Sequence, residues 1–195
     1  MMRAGLTYVR LIDGFNYRLG RIMMFGIFVM MGILIWSSGS KIIDAPANWT
    51  LETAQFAMVA YYMLGGPYSI QMGANVRMDL FYHQWSIRRK AWFDAFTVLF
   101  LLFYLGVLFH GAVDSLSYSL GHYKGTPYQF FAQLFTSLFT GGFYDTLGRL
   151  EVSPTAWRPV IWPAKAIMLV GISLMFLQAL SELIKDIARL RGEEI

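Results

Sequence analysis

The chain has 195 residues, 56% of them hydrophobic and only 14% charged, with a net charge of +4 and no cysteine. An ordinary soluble domain carries about 25% charged residues, so the composition argues against a soluble fold. The missing cysteines exclude disulfides, thiolate metal sites, iron–sulfur clusters and cysteine nucleophiles. The basic residues gather at the ends of apolar runs, with no aromatic-interleaved basic stripe along a polar face. That pattern fits membrane-orienting charges and speaks against a nucleic-acid partner.

No charge falls between Arg21 and Lys41, between Glu52 and Arg77, between Asp94 and Asp114, or between Lys165 and Glu182. Each gap approaches the roughly 20 residues a helix needs to cross a hydrocarbon core about 30 Å thick. The expectation is an all-α integral membrane protein with four transmembrane helices, forming a single membrane domain over residues 1–195.

In chain order, residues 1–20 repeat Leu6, Val9, Ile12, Phe15 and Leu19 at three- and four-residue spacing among Arg3, Arg10 and Arg18. This predicts an N-terminal amphipathic helix in the headgroup region; a flexible basic tail is the simpler alternative. Span one is expected over 20–42, as a retained helix and not a cleaved signal peptide. The turn formers Asp44 to Asn48 follow. Span two is expected over 53–76, opening near Thr50 as N-cap, with Glu52 in the first turn. Gly65, Ser69 and Gly73 recur at four-residue spacing and offer a face for close helix approach. Pro67, beside Gly65 and Gly66, is expected to loosen this helix.

Span three is expected over 92–116. Its stripe of Phe96, Leu99, Phe100, Phe103 and Val107 reads as packing or lipid contact and not as a cofactor box. Span four is expected over 162–184, with Pro163 in its first turn and Lys165 reaching to the headgroups. The outer segment 117–158 lies between them. Its uncharged part puts Phe130, Phe131, Leu134, Phe135, Leu138 and Phe139 on one face, opposite Gln129, Gln133, Thr136, Ser137 and Thr140. That periodicity predicts an in-plane helix between spans three and four rather than a fifth span.

Basic residues cluster before span one, between spans two and three (Arg77, Arg88, Arg89, Lys90), and after span four (Lys185, Arg189, Arg191). The positive-inside rule then places both termini in the cytoplasm. Catalytic and cofactor chemistry is not signalled. There is no phosphate-binding glycine loop, helical zinc motif or nucleophile elbow, and the three histidines are too scattered for haem or a metal. His110 and Asp114 share a helix face and read as a structural pair or, less simply, a proton relay. Arg77 and Asp79, taken alone, are a helix-terminal cation and its partner.

Trp49-Thr50-Leu51-Glu52 opens a span that closes with Asn75-Val76-Arg77-Met78-Asp79 and is followed by Arg88-Arg89-Lys90. The fourth span runs from Trp162-Pro163-Ala164-Lys165 to Gln178-Ala179-Leu180-Ser181-Glu182. This resembles the small permease subunit of tripartite ATP-independent periplasmic (TRAP) transporters, in their longer subgroup. Family members carry a tryptophan-to-glutamate opening and a histidine-valine-arginine-valine-aspartate closing; Asn75 stands where they have the histidine.

The resemblance implies a non-enzymatic scaffold subunit of a sodium-coupled uptake system for organic acids, in the bacterial inner membrane. Its implied partners are a large membrane permease subunit, which holds the substrate and sodium sites, a periplasmic substrate-binding protein, and membrane lipid. Trp49, Glu52, Gly65, Ser69, Gly73, Arg77 and Asp79 become the motif and subunit-interface candidates. Lys124 and Arg149 become candidates for docking the binding protein. The alternative is the membrane anchor of a redox enzyme complex, which needs facing mid-membrane histidines where the spans supply only His110. No cofactor, metal or catalytic residue is expected.

Overall fold

The computed structural model describes residues 2–45, 47–73, 87–123 and 125–190. These hold seven helices: α1 (Met2–Met23), α2 (Gly26–Ile42), α3 (Thr50–Gln71), α4 (Ile87–Ser119), α5 (Pro127–Thr140), α6 (Phe143–Thr146) and α7 (Trp162–Leu190). No strand occurs among the described residues; the only extended pairing there is an isolated bridge between Val152 and Val160.

Among the described residues, three stretches are long and apolar enough to cross a membrane: Gly5–Ile42, Trp92–Ser119 and Trp162–Leu190. The second expected span, α3, is not among them. Gln55, Tyr61, Tyr62, Gly65, Gly66, Tyr68 and Gln71 dilute its hydropathy. It also ends at Gln71, short of the expected boundary near residue 76, and Gly73 follows in a turn with φ +62°. The first expected span merges with the amphipathic segment through a tightened joint. There Phe25 N–H donates to Ile22 O (3.1 Å) and Phe28 N–H to Phe25 O (3.1 Å), three residues back instead of four.

The long helices follow one another by contact in the order α2, α3, α7, α4, with α1 lying across α3 and α7. α7 is therefore the central element. Its contact with α4 is made by Leu105, Ala112, Ile172 and Ala179, flanked by Val98, Leu101, Phe109, Met168, Met175 and Phe176. Its contact with α3 depends on glycine. A side chain at Gly171 would lie 2.6 Å from Met63 O. That carbonyl is the one Pro67, four residues on, cannot bond because it has no N–H. The helix interruption and the close approach thus occur at one place, and Pro67 is fully buried there.

α1 is helical, as its periodicity predicts, and only part of its apolar stripe turns inward. Val9, Ile12 and Asn16 are buried, whereas Phe15 is exposed. In a helix of 3.6 residues per turn, Val9, Ile12, Asn16 and Gly20 hold one line and Phe15 falls to its side. Gly20 sits against the Tyr68 ring of α3. Phe96, Leu99, Phe100, Phe103 and Val107 of α4 are all exposed, so this stripe faces outward, toward lipid or a partner, and not into the core.

Between α4 and α7 the chain forms α5 and α6 and then returns as a strap over 147–161. α5 opens with Pro127 at its first position and closes on Gly141 in the left-handed region (φ 80°). The strap crosses the end of α4 glycine to glycine: Gly148 N–H donates to Leu120 O (3.0 Å), and a side chain at Gly121 would meet the Gly148 backbone at 2.4 Å. Glu151 N–H then donates to Ser119 O (3.0 Å) and Ile161 N–H to Glu151 O (3.1 Å).

Candidate functional site

Polar side chains gather at both ends of the α3–α7 layer. At the α1 end, Asp13 projects from α1 onto α7. Its Oδ1 accepts from Gln178 Nε2 (3.0 Å) and Ser181 Oγ (2.8 Å), and its Oδ2 pairs with Lys185 Nζ (2.6 Å). Lys185 also pairs with Glu182 (2.8 Å), which accepts from Gln178 Nε2 (3.1 Å). Asn16, one turn along α1, donates to Gln178 Oε1 (2.7 Å), and Gln71 at the end of α3 donates to the Asp13 carbonyl (3.2 Å). Asn16, Gln178 and Ser181 are completely buried. Because charged groups cost several kcal/mol each to strip of water, a partly buried carboxylate gains from this many partners. The ion pair and its amides thus fasten α1 to α3 and α7.

At the strap end, Glu52 in the first turn of α3 is buried, and its Oε1 accepts from Ser153 and Thr155 of the strap. Thr50 does not cap α3 as the sequence suggests. Its hydroxyl donates to Ala47 O (2.8 Å) and Ser37 Oγ (3.0 Å), tying the start of α3 to the end of α2. Lys165 lies in the first turn of α7. It turns to the strap and pairs with Glu151 (2.6 Å), donates to Ser115 O (3.3 Å), and lies 5.6 Å from the Tyr118 ring centre. Ser119 donates to the same Glu151 carboxylate. Burial works to raise the Glu151 pKa, but the hydrogen bonds from Lys165 and Ser119 and the lysine's charge outweigh it. The carboxyl is held below its ordinary value.

α5 rests on α4 through two histidine–aromatic contacts. His110 Nδ1 and Tyr128 OH are hydrogen-bonded at 2.8 Å, and His122 stacks on the buried Phe130 at 4.7 Å. His110 therefore partners α5 and not Asp114. Phe130 and Ser137 face the body of the protein, while Phe135, Leu138 and Phe139 are exposed.

Of the expected interface residues, Trp49 is partly exposed and Glu52 is taken up by the strap. A side chain at Gly65 would meet nothing within 4 Å; its neighbour Gly66 is the one pressed against Met175. Ser69 is half-buried on α3, and Gly73 lies beyond the helix, so the four-residue register does not reach it as a helical face. Arg77, Asp79 and Lys124 lie outside the described residues. Arg149 is exposed on the strap, its carbonyl accepting from Tyr123 OH (2.9 Å).

The two polar junctions were not assembled by sequence reasoning. Their signal was present in part: Gln178, Ser181, Glu182 and Lys185 form a polar stripe at helical spacing, and Asp13 and Asn16 interrupt an otherwise basic and apolar helix.

Apolar helices that pair their polar side chains with one another define a multi-pass helical membrane component. Residues 30–189 match the family described as "Tripartite ATP-independent periplasmic transporters, DctQ component", and the chain belongs to that family. No curated protein and no solved structure matches it. The chain is thus the small permease component of a TRAP transporter in the inner membrane, a transporter component and not an enzyme. The redox-anchor alternative gives way to this assignment, and His110 is engaged with Tyr128 instead.

Proposed function

We propose that this small subunit is a structural scaffold for a sodium-coupled carrier of organic acids. It would work beside a large permease subunit and receive substrate from a periplasmic binding protein. The observation that carries the reading is the family match over residues 30–189. The side-chain chemistry agrees: Asp13, Lys185 and Glu182, then Glu151 and Lys165, then Asp186 and Arg189 are spent on one another as ion pairs.

Four spans, with both termini in the cytoplasm, form part of the proposal. Hydropathy alone does not favour α3 as a span, but its packing does. α3 starts at the strap beside the start of α7 and ends at Asp13 beside the end of α7. Its 22 residues rise about 33 Å at 1.5 Å each, enough for a hydrocarbon core. α5 is read as lying in the membrane surface, with Phe135, Leu138 and Phe139 toward lipid. The strap, with Lys124 and Arg149, is read as the docking side for the binding protein.

The open side of α3 at Gly65 and Ser69, with Trp49 and the Arg77–Asp79 motif, is the proposed contact with the large subunit. Gly65→Leu and Ser69→Leu should each lower the yield of large subunit co-purified with the chain, because a backbone-close contact would be lost. Wild-type yields from both variants would move the interface elsewhere. Cysteines placed singly at residues 7 and 125 test the topology, since the chain has none of its own. Only the second should react with an impermeant reagent in intact cells, and labelling of the first would overturn the orientation.

A further inference from the structure

We infer that α1 carries a binding surface for anionic phospholipid headgroups. α1 has three sides. The inward side holds Val9, Ile12, Asp13 and Asn16 against α3 and α7. A second side presents Arg10, Arg18 and Arg21, all exposed and without an acidic partner among the described residues. A third, next to it, exposes Leu11, Phe15 and Ile22.

Charge sorting makes the second side unusual. Asp13 is the only acid in α1, and the α1 junction consumes it, so the outward side is purely cationic. Arg21 additionally covers the Tyr17 ring at 5.4 Å, a contact that leaves its charge uncompensated. From Arg10 to Arg21 the helix rises roughly 16 Å, and the apolar side runs parallel along the same length. A boundary between apolar and cationic sides that follows the helix axis suits a helix lying in the membrane plane, with one side in acyl chains and the next among headgroups. Phosphodiester headgroups are the complementary chemistry: each arginine can chelate two phosphate oxygens, and anionic lipid attracts basic residues near a membrane surface. The ion pair to Lys185 fixes which side faces out, so α1 presents a set surface and not a free-swinging tail.

The test is lipid selectivity of the full chain in phosphatidylcholine vesicles, read by electron spin resonance with spin-labelled phosphatidylglycerol or phosphatidylcholine. The wild-type chain should prefer the anionic label about tenfold at low salt. The preference should fall below about twofold in 0.5 M salt, as surface charges are screened. The triple variant Arg10→Gln, Arg18→Gln, Arg21→Gln should lose the preference, while Arg149→Gln with Arg158→Gln, on the strap, should keep it. All these side chains are exposed, so the fold should be retained. Equal binding of both labels by the wild type, or an undiminished preference in the triple variant, would overturn the inference.

Discussion

The α1 junction and the strap junction both use carboxylates at the ends of the same two helices, yet they hold different things in different ways. At the α1 end, one partly buried aspartate is shared among a lysine, an amide and a hydroxyl on α7, with fully buried Asn16 and Gln178 alongside. Helix is locked to helix there through one shared network of side-chain hydrogen bonds. At the strap end, Glu52 and Glu151 each hold an irregular segment, Glu52 through two hydroxyls and Glu151 together with Lys165. The first arrangement sets the shape of the subunit; the second pins a loop onto a shape already formed.

The largest expected effect is therefore at Asp13. Asp13→Ala removes the acceptor of Ser181 and one of the two acceptors of Lys185 and of Gln178, which keep Glu182, and should cost about 2–3 kcal/mol. The readout is thermal unfolding of the purified chain, with early proteolysis of α1. A single variant as stable as wild type would erase the distinction between the two ends.

Midway between the junctions, Gly171→Val should cost about 1–3 kcal/mol by forcing α7 off the Met63 carbonyl. Gly65→Ala, facing open space, should leave the stability of the isolated chain nearly unchanged. Comparable losses for both would mean that α3 is packed on both faces.

Glu52→Ala should be smaller still and confined to one end, about 1–2 kcal/mol from two lost hydroxyl bonds. Hydrogen exchange should quicken over residues 150–156 while residues 8–20 stay protected. Release of both regions together would show that the two junctions are coupled.

The helices and the charge sorting were legible because they depend on local rules: apolar length, helical period and the spacing of charges. The boundary of α3 was not, since Gly73 takes a left-handed turn that a run of small residues disguises as continuing helix. The inward side of α1 was not legible either, since sequence weighs hydrophobicity, whereas packing buries Asn16 for its bond to Gln178 and leaves Phe15 exposed. Lys165 shows the same limit. Snorkelling is the expectation for a lysine near a helix start, and only the folded strap shows Glu151 as its partner. Partners more than a hundred residues apart, such as Glu52 with Ser153 or Asp13 with Lys185, carry no local signature.

The smallest effect is a pH dependence of the strap. The Glu151 pKa lies below its ordinary 4.5 in the folded chain. Its pairing with Lys165 therefore stabilises fully above about pH 4.5 and is lost as pH falls through the lowered value. Partial exposure keeps this under about 1 kcal/mol. Stability measured between pH 6 and 3 should decline less in Glu151→Gln than in wild type.

The scaffold role itself is tested most directly by uptake into proteoliposomes under an inward sodium gradient. With the large subunit and the loaded binding protein, organic acid should accumulate; with this chain and the binding protein alone, none should. Sodium-driven accumulation by the chain without the large subunit would contradict the account.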